Sequence, residues 1–241
     1  MDNEKIVADG RPATISRRQL LLRYGARLFG VSLLLGMALV AARAQGGGGG
    51  AGGAAAPDAV GAEETDTGNL VADALRAAAS ADAALVPAAA FKRNADVPRP
   101  VRAERAAGLV ETPDDAIVVL GLRGAQILGA LERSVSLAPQ RNVRFLQVSG
   151  IRFAFNSGKP AGQRVQSVTV GGSPLDPNRT YKVATTRPLA NGQQGYSQIW
   201  DRGQITAETG KTVATALADF VRARGGSVSP ATDQRIAAAG R

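Results

Sequence analysis

The stretch RFLQVSGIRFAFNSGKPAGQRVQSVTVGGSPLDPNRTYKVATT, residues 144–186, decides the fold. Its runs VRFLQVS (counting back to Val143), IRFAFN and RVQSVTV each alternate apolar and polar residues in part, the period-two signature of half-buried strands. GGSPLDPNRTYKVATT then passes through two turn signals into another strand. Upstream, AALV at 83–86 and AIVVLGL at 116–122 read as two more strands. The period changes to that of a helix in TGNLVADALRAAAS, where Leu70, Ala74, Leu75 and Ala78 share a face and Thr67 is the candidate cap. GAQILGALERSVS is a second helix, with Ile127, Leu128, Leu131 and Val135 on one side. TGKTVATALADFVRARGG closes as a third, burying Val213, Leu217, Phe220 and Val221 and ending at Gly225. Helices early, a run of strands later and a final helix predict a single α+β domain, a mixed β-sheet packed with helices.

Composition narrows the chemistry. The 241 residues contain no His and no Cys, so the usual ligands for zinc, copper or haem are missing, and so is the usual general base at neutral pH. No cofactor and no metal are expected. Of the formal net charge of +9, residues 1–44 carry seven Lys or Arg and three Asp or Glu, which leaves +5 for the rest. The remaining arginines are dispersed, without the basic runs interleaved with aromatics that mark a nucleic-acid surface, and no nucleic-acid partner is expected.

Residues 16–27, SRRQLLLRYGAR, precede the uncharged run LFGVSLLLGMALVAA at 28–42. Residues 1–44 resemble a twin-arginine export signal, with Arg17 and Arg18 as the pair and ARA ending at Ala44 as a small-residue cleavage site. Fifteen uncharged residues span about 22 Å as a helix, short of a roughly 30 Å hydrocarbon core. The expected location is periplasmic or secreted, with membrane attachment only where the signal stays uncleaved. Residues 45–62, QGGGGGAGGAAAPDAVGA, are expected to be a flexible tether, because five consecutive glycines do not offset their ordering entropy by burial. They lack the Lys of a phosphate-cradling GxxxxGK[ST] loop. The folded domain is expected over 63–241.

Four blocks in series carry a more specific signal: TDTGNLVADALRAAASADAALVPAAA, LRGAQILGALERSVS, the stretch quoted first, and LANGQQGY. Together, from about Glu63 to Ile236, they resemble the C-terminal domain of the 5'-nucleotidase family. The resemblance implies a domain that grips a nucleoside and part of its phosphate, beside a separate metallophosphoesterase domain that holds two metal ions and hydrolyses the ester. A two-metal site needs several converging ligands, and nothing in these residues resembles that domain. The resemblance therefore implies no catalytic residues here. It leaves a non-catalytic module binding a nucleotide-like or phosphorylated small molecule or a protein, or the substrate-binding half of a two-chain hydrolase whose metallophosphoesterase is a separate polypeptide. A scaffold that has lost its ligand is the third reading.

Where the family carries Asn-Gly-Gly-Gly-Ile-Arg after the first strand, this sequence reads Pro87-Ala88-Ala89-Ala90-Phe91-Lys92. Lys92 still meets a phosphate as a point charge, but the bidentate fork is gone. Pro113 and Pro188 stand where two rings would sandwich the base, and Gln194 where an acid would bind the ribose. The candidate ligand-binding residues are Lys92, Arg93, Arg187, Asn191, Gln194 and Tyr196. For Lys92, Arg93 and Arg187 the competing reading is a solvated surface charge. For Tyr196 and Trp200 it is a core or loop anchor. Arg152 is expected on the polar face of its strand. Asp114 and Asp115 are either an acid pair or, as adjacent carboxylates before a strand usually are, a turn.

Overall fold

The computed structural model describes residues 59–239. The expected export signal and the expected tether up to residue 58 lie outside them. The tether's last residues do not behave as a linker: Ala59–Gly61 forms a 3₁₀ turn with Gly61 buried, so ordered structure begins ahead of Glu63.

In chain order the elements are helix α1 (Asp66–Ala78), strands β1 (Ala83–Pro87), β2 (Val101–Arg102) and β3 (Ala116–Arg123), helix α2 (Gly124–Ser134), and strands β4 (Leu146–Ser149), β5 (Ile151–Asn156), β6 (Val165–Val170), β7 (Ser173–Pro174) and β8 (Thr180–Thr186). Helix α3 (Arg187–Ala190), strand β9 (Ile205–Thr212), helix α4 (Val213–Arg222) and strands β10 (Ser227–Val228) and β11 (Ile236–Ala239) complete the chain. The expected α+β architecture is present. A five-stranded mixed sheet runs β4-β1-β8-β3-β9, a four-stranded sheet runs β11-β5-β6-β7, and β10 pairs with β2. Among the described strands, only β1 with β8 and β11 with β5 are parallel.

Alternation along the strands builds two cores, one on each face of the large sheet. Ala83 and Leu85 of β1, Val183 of β8 and Val118, Leu120 and Leu122 of β3 face one core, with α2 and β5 packed over them. Their neighbours Ala84, Val86, Ala184 and Ile117 face the other, covered by α1 and α4. A strand buried on both sides reads as a continuous apolar run, which is why AALV and AIVVLGL were readable. Within α2, Ile127 and Leu131 are buried, and Val135 follows them just past the helix end, whereas Leu128 remains 39% exposed. It sits one residue, about 100°, round the helix from Ile127 and misses the buried stripe.

Two expectations change at helix starts. The cap of α1 is Thr65, not Thr67: the Thr65 hydroxyl accepts from the Gly68 N–H at 2.9 Å. The first residues of TGKTVATALADFVRARGG are strand, and α4 begins after Thr212, whose hydroxyl accepts from the Thr215 N–H at 3.2 Å. Strand β9 escaped the pattern because it is a largely exposed edge strand, and its register against β3 shifts twice; bulged edges carry little period-two signal. At its other end α4 stops at Arg222 and is capped by Ala223, ahead of the expected Gly225, which lies just beyond in a left-handed conformation.

The entry into the domain is held by one buried side chain. Gln147 on β4 donates from Nε2 to the Val60 and Glu63 carbonyls, at 3.0 and 2.7 Å, and accepts from the Thr65 N–H at 3.1 Å. Replacing Gln147 with Ala strands those backbone groups, at about 1 to 3 kcal/mol for each group left unsatisfied. With partial rescue by water, a net loss of about 2 to 3 kcal/mol is expected, which lowers the melting temperature by roughly 5 to 10 °C for a domain of this size. Thermal unfolding followed by circular dichroism checks this, and an unchanged midpoint would show that the clasp contributes nothing.

Candidate functional site

Sheet register brings four loops to one end of the large sheet. Strands β1 and β8 are parallel and finish there, at Pro87 and Thr186. The antiparallel β3 and β4 begin there, with Ile117 opposite Thr186 and Leu146 opposite Pro87. The segments after β1, before β3, before β4 and after β8 therefore leave on the same side. In open α/β sheets ligands bind beyond the carboxyl ends of the parallel strands, and here the β1–β8 pair presents such an end.

Ala88–Ala90, the counterpart of the family's glycines, is a 3₁₀ turn. Its amides are already engaged: Ala88 N–H donates to Phe145 C=O at 2.7 Å and Ala89 N–H to Val143 C=O at 2.9 Å. On the other side, Glu111 N–H donates to Ala90 C=O at 2.9 Å and Lys92 N–H to Leu109 C=O at 3.0 Å. Pinned between two neighbours, this turn offers neither the Ala88 nor the Ala89 amide to a ligand. What remains is side-chain chemistry. A cleft of about 540 Å³ opens beside the turn, lined by Val60, Gly61, Ala88, Ala89, Phe91, Lys92, Arg93, Glu111, Arg141, Asn142 and Val143. Lys92 and Arg93 are exposed within it, and neither makes an ion pair among the described residues. Among the described residues, the lining carries the cations Lys92, Arg93 and Arg141 and one carboxylate, that of Glu111.

The loop after β8 is built for rigidity. Arg133 on α2 donates from Nε and Nη2 to the Gln194 carbonyl, at 3.1 and 2.8 Å, and from Nη1 to Gln198 Oε1 at 3.2 Å. Gly195 lies against this guanidinium, and a Cβ there would come within 1.7 Å of Nη2. Tyr196 is fully buried and stacks on Trp200 with ring centroids 5.0 Å apart. Its hydroxyl donates to Arg144 C=O at 2.7 Å, and Trp200 Nε1 donates to Leu189 C=O at 3.2 Å. Burial pushes the Tyr196 phenol well above the ordinary tyrosine range, and Arg133 and Arg144 offset only part of this, so it stays protonated. Both aromatics are therefore core anchors, the second of the two readings. Tyr196→Phe is expected to cost about 1 kcal/mol, one net hydrogen bond, read as a lower urea midpoint with an unchanged slope; no change would assign Tyr196 a purely apolar role.

The six candidates do not converge. Lys92 and Arg93 share the cleft, while Arg187, Asn191, Gln194 and Tyr196 are not on its lining. Arg187 pairs with Glu208 of β9 at 2.7 Å, a surface ion pair. Asn191 is exposed, and the Gln194 backbone carbonyl is taken by Arg133. Asp115 is bound by the Thr112 hydroxyl at 2.6 Å, in keeping with a turn. Arg152 is exposed on β5, as expected of the polar face. Sequence reasoning missed Glu111, Arg141, Asn142 and Val143: Glu111 approaches Lys92 through the Phe91–Val110 bridge and the other three through the pairing of β4 with β1, and local periodicity carries no trace of either. Among the described residues no group of three or more acidic side chains is placed to hold a metal ion.

Residues 43–201 match the family model described as 5'-nucleotidase, C-terminal domain. A 5'-nucleotidase of Diplobatis ommata is 30% identical over 128 residues, which cover 50% of this chain and 22% of that protein. An apyrase of Tabanus yao is 33% identical over 100 residues, covering 36% of this chain and 18% of that protein. The chain thus spans about a fifth of the length of these curated relatives. Among solved structures, the 5'-nucleotidase precursor from Thermus thermophilus superposes with a TM-score of 0.67 at 29% identity, over 77% of this chain and 37% of that one. The NAD nucleotidase of Haemophilus influenzae shares the fold, with a TM-score of 0.61 at 19% identity over 73% of this chain and 33% of that one.

Proposed function

Since the chain belongs to the 5'-nucleotidase C-terminal domain family, we propose that it is an exported module that binds a phosphorylated small molecule in the Lys92–Arg93 cleft and does not hydrolyse it on its own. The observation that carries this reading is the pair of adjacent cationic side chains, without ion-pair partners among the described residues, in a cleft of about 540 Å³, within the range of about 300 to 1,000 Å³ typical of small-molecule sites. Lys92 supplies a point charge and Arg93 a planar fork, both suited to a phosphoryl group. Recognition of a base is reduced, because Pro113 and Pro188 occupy the positions where the family resemblance puts stacking rings, and Gln194 replaces the acid. Each missing stack removes about 1 to 3 kcal/mol, so the phosphate dominates affinity. The absence of His and Cys from the sequence supports the non-hydrolytic part, and the leader at 1–44 supports export.

A second reading, a separate metallophosphoesterase chain docking over the cleft, draws support from Val143, a cleft residue left 45% exposed. Thermal-shift screening of the full chain against nucleotides, nucleosides and sugar phosphates, with phosphate-release assays in manganese, tests the main proposal. A ligand at a hundred times its dissociation constant stabilises by about 2.7 kcal/mol. Phosphorylated compounds are expected to raise the melting temperature and nucleosides to leave it unchanged. Equal shifts from both, or phosphate release by the chain alone, would overturn the proposal.

A further inference from the structure

A second cationic site lies at the opposite end of the large sheet, where α1 meets the β4–β5 link. Three arginines, Arg76, Arg152 and Arg235, face two aspartates, Asp73 and Asp233, around a hollow of about 200 Å³. The aspartates are fully spoken for. Arg235 holds Asp73 in a two-point pair, Nη1 to Oδ1 at 2.7 Å and Nη2 to Oδ2 at 2.9 Å, and reaches Asp233 from Nε at 2.7 Å. Burial opposes the charge on Arg235, and the two carboxylates more than offset this, so its pKa is raised above the ordinary guanidinium value. Arg152 takes the other Asp233 oxygen at 3.1 Å. Asp73 Oδ1 also accepts from the Ser149 hydroxyl at 2.5 Å.

Arg76 is left over. Its Nε donates to Ser149 Oγ at 2.7 Å, which fixes the plane of the guanidinium. Neither Nη has a hydrogen-bond partner among the described residues, and no carboxylate within them pairs with it. The walls beside it include Gly150, Gly171 and Gly172, which put no side chains into the hollow. An oriented guanidinium with an unused pair of donors, one excess positive charge and an unfilled space of this size is the environment that a small oxyanion matches in charge and geometry.

We infer that the hollow between Arg76 and the Gly150, Gly171 and Gly172 backbone binds a small oxyanion, either free phosphate or the phosphoryl group of a larger ligand, independently of the Lys92–Arg93 cleft. The test is a titration of the isotopically labelled full chain with inorganic phosphate at constant ionic strength, reading the amide resonances of the three glycines. A parallel arm uses a sugar phosphate to separate the two sources. Saturable shifts of these amides are expected in the wild-type chain and in the Lys92→Ala/Arg93→Ala variant. In Arg76→Ala they are expected to disappear while the rest of the spectrum stays dispersed, because Arg76 is exposed and its loss leaves both aspartates paired. Arg76→Lys, which keeps the charge and loses the fork, is expected to weaken binding about tenfold. Shifts that fail to saturate, that chloride reproduces, or that survive in Arg76→Ala would each overturn the inference.

Discussion

Gly150→Ala is expected to destabilise the domain by more than about 4 kcal/mol, the range reserved for a named steric or strain mechanism. Gly150 has φ +72°, and a Cβ there would sit 2.2 Å from the Asp82 carbonyl oxygen and 3.2 Å from Ala83 Cα. Neither obstacle is a side chain that can swing away. Asp82 is fixed at the start of β1: its N–H donates to Lys182 C=O at 2.9 Å, and its carboxylate accepts from Lys182 N–H at 2.8 Å. The left-handed conformation alone costs an alanine about 1 to 2 kcal/mol, and displacing the parallel β1–β8 pairing accounts for the rest. Gly171→Ala is the internal control. It has φ +59° with nothing within 4 Å of its Cβ position, so only the conformational cost applies. Urea unfolding of the two variants separates the effects: a deep drop in midpoint for Gly150→Ala and a shallow one for Gly171→Ala. Similar midpoints would mean that the Gly150 backbone contact is not as tight as described.

The Lys92→Ala/Arg93→Ala variant is expected to lose affinity for a phosphorylated ligand by on the order of a hundredfold or more. A hydrogen bond to a charged group contributes about 1.5 to 3 kcal/mol, and two such losses add to at least about 3 kcal/mol, close to a hundredfold in dissociation constant. Removing the two charges leaves the fold intact, because both side chains are exposed and hold no ion pair among the described residues. The Glu111→Gln variant moves the opposite way: with the cleft's carboxylate neutralised, affinity for an anion rises modestly. Calorimetric titration of the three proteins reads both effects. Unchanged affinity in the double variant would place the ligand elsewhere on the molecule.

The sequence was most legible where burial is two-sided or strictly periodic. AALV and AIVVLGL are strands because both faces meet a core, and α1 and α4 carry apolar stripes that the structure buries. Edge elements were not legible. Strand β9 is a largely exposed and bulged edge, and β11 is a four-residue edge strand that pairs in parallel with β5. The Thr65 cap was missed because Thr65 and Thr67 are equally good cap residues by type; the buried Gln147 carboxamide, 82 positions away, selects the first. The site divides in the same way. Lys92 was found because it stands where the resembled family carries an Arg after the first strand, and Arg93 because it is next to it. Arg141 and Asn142 join them only through long-range pairing, and local chemistry does not encode that. The loop at 187–200 supplied the candidates Arg187, Asn191, Gln194 and Tyr196, yet its left-handed backbone at Gly192, Gln194 and Gly195 serves to wrap it round Arg133 and the Tyr196–Trp200 stack.

Phosphorus NMR of a nucleoside monophosphate mixed with the full chain in manganese-free buffer, then with a trace of manganese, addresses the central claim most directly. Binding without hydrolysis predicts a phosphate resonance that shifts and broadens with added wild-type chain, does so far less with the Lys92→Ala/Arg93→Ala variant, and yields no inorganic phosphate over hours. An inorganic phosphate signal growing with time, or a line identical for both proteins, would contradict it.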